Sequence, residues 1–293
     1  SEGAIDPLVA LLSAEASAEA KGEAAGALGS LCDGRIDTTL TVLQAGAIEP
    51  ITHLLREPNP RAQRKAAAAL AIIVKGDKVY QDAVARVGGI PLLVELLDSA
   101  NATSEVQTHA AMALSELSNG NVRNQTAVLE AGGIPLFVTI LQCGMSEALV
   151  AAAASAVRSI TDRHSNNKSA VAAAGGTLQL VWRIATDSLT VQTAAAQALC
   201  TMTTKNADNQ KTTATLLAKL LGSKGGSPER AARAIAMLTK GSIANQEALA
   251  AVGVVRLLIK ALHESLESQK DVTTAELSVE VLHEELAAAL RGM

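Results

Sequence analysis

Three stretches of this chain carry residue types that could do chemistry. His283-Glu284-Glu285-Leu286-Ala287 opens like a zinc-protease helix, where two histidines four apart hold the metal and the glutamate between them activates water. Ala287 stands where the second ligand is needed, and His263-Glu264 fails likewise with Glu267 at that position. Gly222-Ser223-Lys224-Gly225-Gly226-Ser227 is glycine-rich, but it follows a helical pattern and lacks the Gly-Lys-Ser/Thr ending of a phosphate loop. It reads as a loop between helices. His53, His109, His164, His263 and His283 are scattered and give no metal-ligand spacing. Cys32, Cys143 and Cys200 are an odd, widely spaced set that fits neither a disulfide framework nor a metal cluster; they read as buried small hydrophobes in a reducing compartment. No catalytic residue, metal or cofactor is expected.

What remains is the framework. Of 293 residues, 48% are apolar but only 1% aromatic, namely Tyr80, Phe137 and Trp182. The core is therefore built from small aliphatic side chains, chiefly alanine and leucine, which favour closely packed helices over a sheet. A net charge of −4 argues against a phosphate-neutralising surface, so nucleic acid is not an expected partner. No apolar run approaches the ~20 residues that span a bilayer, and Ser1-Glu2-Gly3 does not open a signal peptide. The absence of an initiator methionine suggests a piece of something longer.

The helices recur. Gly3-Ala4-Ile5 returns as Gly46-Ala47-Ile48, Gly88-Gly89-Ile90, Gly132-Gly133-Ile134 and Gly175-Gly176-Thr177, degenerates at Thr212-Thr213-Ala214, and reappears as Gly253-Val254-Val255. The steps are 43, 42, 44, 43, 37 and 41 residues. A period in this range decides the whole architecture. Each glycine is a hinge after which an apolar helix starts, with Pro91 or Pro135 in the first turn where a missing N–H costs little.

A second pattern follows about 24 residues later. Ala25, Ala67, Ala111, Ala154, Ala196 and Ala232 form one column, and Ala27, Ala69, Ala113, Ala156, Ala198 and Ala234 another. Leu28, Leu70, Leu114, Val157, Leu199 and Ile235 come next, and Leu31, Ile73, Leu117, Ile160, Met202 and Leu238 complete a stripe at helical spacing. Asn59-Pro60 and Ser227-Pro228 cap two of these helices. A short first helix precedes each hinge, marked by Asn124, Asn167 and Asn245, each eight residues before it. In the sixth repeat this segment is about five residues short, which predicts a local kink or gap.

Three helices per ~42 residues, an Ala-Gly-Gly-Ile-Pro-Leu hinge and an Ala-x-Ala-Leu third helix together resemble the armadillo repeat family. The resemblance implies an all-α fold, a right-handed superhelix of about seven three-helix repeats forming one solenoid over 1–293. Repeat boundaries fall near 1–34 (partial), 35–76, 77–120, 121–164, 165–205, 206–241 (shortened) and 242–293. In the last, 271–291, with Glu276, Glu280, Glu284 and Glu285, reads as a polar capping helix. Family knowledge also implies that third helices line a concave groove for an extended partner. In nuclear-import adaptors that groove carries a Trp and an Asn ladder. Here the Asn column holds Ser30, Ile72, Glu116, Ser159, Thr201 and Met237, and the Trp column Gly26, Ala68, Met112, Ser155, Gln197 and Arg233. Neither ladder is present, so that mechanism is disfavoured.

The expected contacts for a protein or extended-peptide partner are Arg64, Ala68, Met112, Glu116, Ser155, Ser159, Gln197, Thr201 and Arg233. Trp182 occupies a second-helix position held elsewhere by Ala10, His53, Glu95 and Thr139, which points it outward as a binding anchor. Arg183, where other repeats have Leu or Ile, favours instead a small rotation that tucks Trp182 inside. Arg56, Arg61, Arg64, Lys65, Lys75 and Lys78 read as a solvated basic face before an acidic-partner site. The leading expectation is a non-catalytic interaction scaffold, part of a larger eukaryotic protein or a multi-subunit complex, in a cytoplasmic or other reducing compartment. The alternatives are a structural spacer held by its ends or convex face and the targeting region of a ubiquitin ligase.

Overall fold

The computed structural model describes residues 2–98, 102–144, 146–186, 188–222, 228–240 and 242–269. The expected capping segment 271–291, the His283 motif, the Ser227 cap and the loop 223–227 lie outside them. The described residues are helical, with no strand among them. The chain forms two compact units, Ser1–Asn167 and Lys168–Met293.

In the first unit the helices are α1 (Ile5–Ser13), α2 (Ala18–Cys32), α3 (Ile36–Gln44), α4 (Ile48–His53), α5 (Pro60–Ile73), α6 (Lys78–Arg86), α7 (Gly89–Asp98), α8 (Ser104–Ser118), α9 (Val122–Glu130), α10 (Gly133–Cys143) and α11 (Glu147–Thr161). The pattern first, second, third helix is set by short-range chemistry. Gly46, Gly88 and Gly132 end the first helices with φ of +76°, +79° and +78°, a left-handed conformation that glycine adopts without a Cβ penalty. At Gly132 the chain turns by 77° from α9 into α10. Third helices start on side-chain caps: Ser17, Asn59, Thr103 and Ser146 each accept a hydrogen bond from the backbone N–H three residues on.

Third helices pack in a row, α2 on α5, α5 on α8 and α8 on α11. The alanine columns are their contact surface: Ala25, Ala67, Ala111 and Ala154 are fully buried, as are Leu28, Leu70, Leu114 and Val157. Ala27 and Leu31 of α2 are only half-buried.

The asparagine column has a definite task. The last carbonyls of a helix have no intrahelical donor, and Asn124 Nδ2 donates to Leu117 O at 2.9 Å while Asn167 Nδ2 donates to Ile160 O at 2.8 Å. Each ties a first helix to the end of the third helix before it. The next residue reaches the other way, to the end of the third helix of its own repeat. Gln81 Nε2 donates to Glu116 O at 2.8 Å, and Gln125 Nε2 donates to Ser159 O at 2.9 Å.

The second unit begins within α12 (Ser165–Ala173) and continues through α13 (Gly176–Ile184), α14 (Leu189–Thr203), α15 (Ala207–Gly222), α16 (Pro228–Thr239), α17 (Ile243–Ala251) and α18 (Val254–Gln269). Asn209 and Asn245 continue the column, donating to Met202 O at 3.2 Å and Leu238 O at 2.8 Å. The expected kink or gap in the sixth repeat is replaced by one continuous helix of 16 residues, α15. Thr212-Thr213 offers no glycine for a left-handed turn, so the first and second helices run on as one, burying Asn209, Thr213, Leu217 and Leu221 along a single stripe.

Candidate protein-binding surface

The third-helix face of the first unit is built from positions that the alanine columns leave pointing away from the stack. Gly26 lies on α2, Ala68 and Ile72 on α5, Met112 and Glu116 on α8, and Ser155 on α11. All are half-buried except Met112, which is 45% exposed. Met112 is thus an accessible apolar side chain whose register equivalents on the flanking helices, Ala68 and Ser155, are small. A thioether on an unbranched chain adapts to varied partner shapes.

Charges at the N-terminal ends of these helices compensate one another. Arg61 pairs with Glu19 at 3.6 Å, Lys65 with Glu23 at 2.9 Å, and Arg64 with Glu105 at 3.5 Å. These bridges link α2 to α5 and α5 to α8, so half of the basic cluster seen in the sequence serves the stack. Arg56, Lys75 and Lys78 remain exposed. Being solvent-facing, such pairs contribute little to stability, ~0–1 kcal/mol each. Their effect here is to leave the face without a strong net charge.

Ser159, expected on the accessible face, is only 2% exposed: its register turns it toward α8, where its Oγ lies 3.0 Å from Ser115 Oγ. In the second unit Gln197 is exposed, and Thr201 is half-buried with its Oγ1 donating to Gln197 O at 3.1 Å. Arg233, part-exposed on α16, donates from Nη1 to Gln192 Oε1 at 3.1 Å. The register thus groups Arg64, Ala68, Met112, Glu116 and Ser155 in the first unit, and Gln197, Thr201 and Arg233 in the second.

Trp182 is 61% exposed, with Leu178 one turn earlier 40% exposed. The rotation expected from Arg183 does not occur, because α13 already buries a complete stripe of Thr177, Leu180, Val181 and Ile184. Trp182 falls on the opposite side.

The cysteines separate by burial. Cys32 is buried with its thiol pushed up in pKa by desolvation, against a smaller opposing effect of its hydrogen bond with Thr39, and burial pushes Cys200 up to about 11. Cys143, expected to be buried, is exposed at the end of α10. A maleimide or Ellman assay on the folded chain at pH 7.5 is expected to count one fast thiol, removed by Cys143→Ser. Because a raised pKa keeps the thiol protonated, Cys200 should react only as pH approaches 11 or after denaturation. Two or more fast thiols at pH 7.5 would contradict this burial pattern.

Three helices per repeat, left-handed glycine junctions and alanine-lined third helices stacked side by side define an α-solenoid of the armadillo class. The chain belongs to the Armadillo/beta-catenin-like repeat family, which matches residues 1–33, 37–75, 77–119 and 121–162. Among solved structures it is similar to an engineered protein from the Northeast Structural Genomics Consortium, with 30% identity and a TM-score of 0.71 over 98% of this chain and 67% of that one. A second engineered protein from the same consortium shares 27% identity with a TM-score of 0.70, over 85% of this chain and 98% of that chain. A designed armadillo repeat protein in complex with the peptide (KR)4 shares the fold at 20% identity and a TM-score of 0.64, over 98% of each chain. No curated protein matches the sequence.

Proposed function

We propose that the chain is a non-catalytic interaction scaffold that holds an extended protein segment on the third-helix face of its first unit. The observation that carries this reading is Met112, an exposed apolar side chain on a face whose neighbouring positions are small and whose charges are paired within the stack. The peptide complex of the designed armadillo protein supports the same use of the fold. The ligand differs in kind: with Glu19, Glu23 and Glu105 already paired to Arg61, Lys65 and Arg64, the face has no strong negative field to hold a purely basic segment, and one with apolar side chains and a free main chain is a better match. The import-adaptor mechanism finds no support, since the ladder positions hold Ser30, Ile72 and Glu116.

The test is crosslinking mass spectrometry on the native complex, followed by Met112→Glu and Arg64→Glu. Crosslinks are expected at third-helix positions. Each substitution should weaken the partner about tenfold, ~1.4 kcal/mol, while leaving stability within about 1 kcal/mol, since Met112 is exposed and the Arg64–Glu105 pair that is lost is solvent-facing. Crosslinks confined to second-helix positions, with no effect of either substitution, would reject this use of the face.

A further inference from the structure

On the second-helix side of the first unit, α7 and the α9–α10 corner enclose an open cavity of about 560 Å³. Its floor is apolar, formed by Pro91, Val94, Ala131 and Leu136, and its rim carries Glu95, Asp98 and Glu130. The position of those acids runs against helix electrostatics. Asp98 is the last residue of α7 and Glu130 the last of α9, with Glu95 one turn earlier in α7. Helix C-terminal ends carry partial negative charge and favour cations, yet neither helix has a basic residue in its last turn.

The same register elsewhere is filled differently. Second helices carry Ala10 and Ser13, His53 and Arg56, or Thr139 and Gln142 where α7 carries Glu95 and Asp98; first helices carry Gln44 or Arg86 where α9 carries Glu130. The concentration of negative charge is thus a property of this one corner. Among the described residues the ion pairs run to Glu19, Glu23 and Glu105, and none reaches these three carboxylates. Nor do they form a group able to hold a metal ion. Spread around an apolar floor, they suit an extended cationic side chain better than a point ion.

We infer that this groove is a second docking site, distinct from the third-helix face, for a partner peptide in which an arginine or lysine flanks an apolar residue. The apolar side chain rests on Leu136 and Val94. The cation lies among the three carboxylates at the C-terminal ends of α7 and α9, with which it forms charge-assisted hydrogen bonds, stronger than neutral ones. An unfavourable arrangement in the free protein becomes favourable in the complex.

The experiment uses the whole chain and a fluorescein-labelled ten-residue peptide carrying arginine-leucine-arginine between glycine-serine flanks, read by anisotropy at low and moderate salt. A matched peptide with glycine in place of both arginines is the reference. Binding of the arginine peptide is expected to exceed the reference at least about tenfold and to weaken with salt. Asp98→Lys with Glu130→Lys should abolish that advantage while leaving the thermal midpoint unchanged or raised, as cations now sit at helix C-termini. Ala131→Trp, which fills the floor and keeps every charge, should weaken binding as well, and Met112→Glu should leave it unchanged. Equal binding of the two peptides would overturn the inference. So would loss of binding in Met112→Glu but not in the charge reversal, or a dimer by light scattering that the reversal dissociates, which would assign the groove to a second copy.

Discussion

Gly29→Leu is expected to destabilise the first unit by about 3 kcal/mol or more, at the upper end of what overpacking costs. Gly22 and Gly29, two turns apart on α2, face Ala62 and Ala69 on α5. A Cβ on Gly29 would lie 2.8 Å from Ala69 Cα and 3.0 Å from its Cβ, and one on Gly22 would lie 2.9 Å from Ala62 Cα. The clashing atoms belong to backbone or to a methyl with no rotamer to change, so relief requires moving one helix off the other. Gly26, one turn away on the same helix, supplies the control. There the added Cβ meets Lys65 Cδ at 2.9 Å, the far part of a flexible side chain. Gly26→Ala should therefore be neutral or stabilising, by up to about 1 kcal/mol from helix propensity. Urea denaturation followed by circular dichroism measures both. Because each repeat contacts only its neighbours, hydrogen exchange should show the Gly29→Leu damage concentrated in α1 to α5. Equal stabilities for the two variants would refute the close approach of α2 and α5.

Asn167→Asp should cost about 2–4 kcal/mol although it changes no heavy-atom count in the side chain. Asn167 is fully buried, and its Nδ2 donates to Ile160 O at 2.8 Å and Gln125 O at 3.0 Å. Removing the donor leaves Ile160 O, near the end of α11, unpaired at roughly 1–3 kcal/mol, takes from Gln125 O the second of its bonds, the first being to the backbone of α9, and an aspartate would add a buried charge. Asn167→Ala should show a loss of similar size without the charge. The two differ in pH response: a protonated aspartic acid regains one O–H donor, so the aspartate variant should recover part of its stability relative to the alanine variant as pH falls toward 4. Chemical denaturation across pH 4 to 8 reads this directly. An aspartate variant as stable as the parent at pH 8 would show that the two carbonyls do not depend on Asn167.

The repeat was legible because each of its signals is local or strictly periodic. Gly88 and Gly132 mark first-helix ends since a left-handed residue is needed there, and Ala111 or Ala154 mark the stack since a larger residue would hold neighbours apart. Asn124 and Asn167 stood out by spacing alone. Gln81 and Gln125, one position on from the asparagine register, did not, because their acceptors Glu116 O and Ser159 O lie at the far end of the same repeat, 35 and 34 residues along the chain. Sequence spacing can show that a residue recurs. It cannot show which carbonyl faces it.

The candidate surfaces were less legible for the same reason. Ser159 and Ser155 sit one turn apart on α11, yet Ser159 is buried against Ser115 while Ser155 stays part-accessible, a difference set by how α8 leans on α11. Trp182 and Arg183 are adjacent, and which of them faces outward depended on α13 completing its buried stripe with Ile184. The loss of about five residues near Thr212 was visible, but its form was not: a kink and a fused helix have the same sequence length, and the uninterrupted burial of Asn209, Thr213 and Leu217 selects the helix. By itself the sequence determined the helical class, the period and the alanine contacts, all of which rest on backbone conformation and side-chain size. Tertiary structure alone decided which polar and apolar side chains remain accessible, because accessibility depends on the neighbouring repeat.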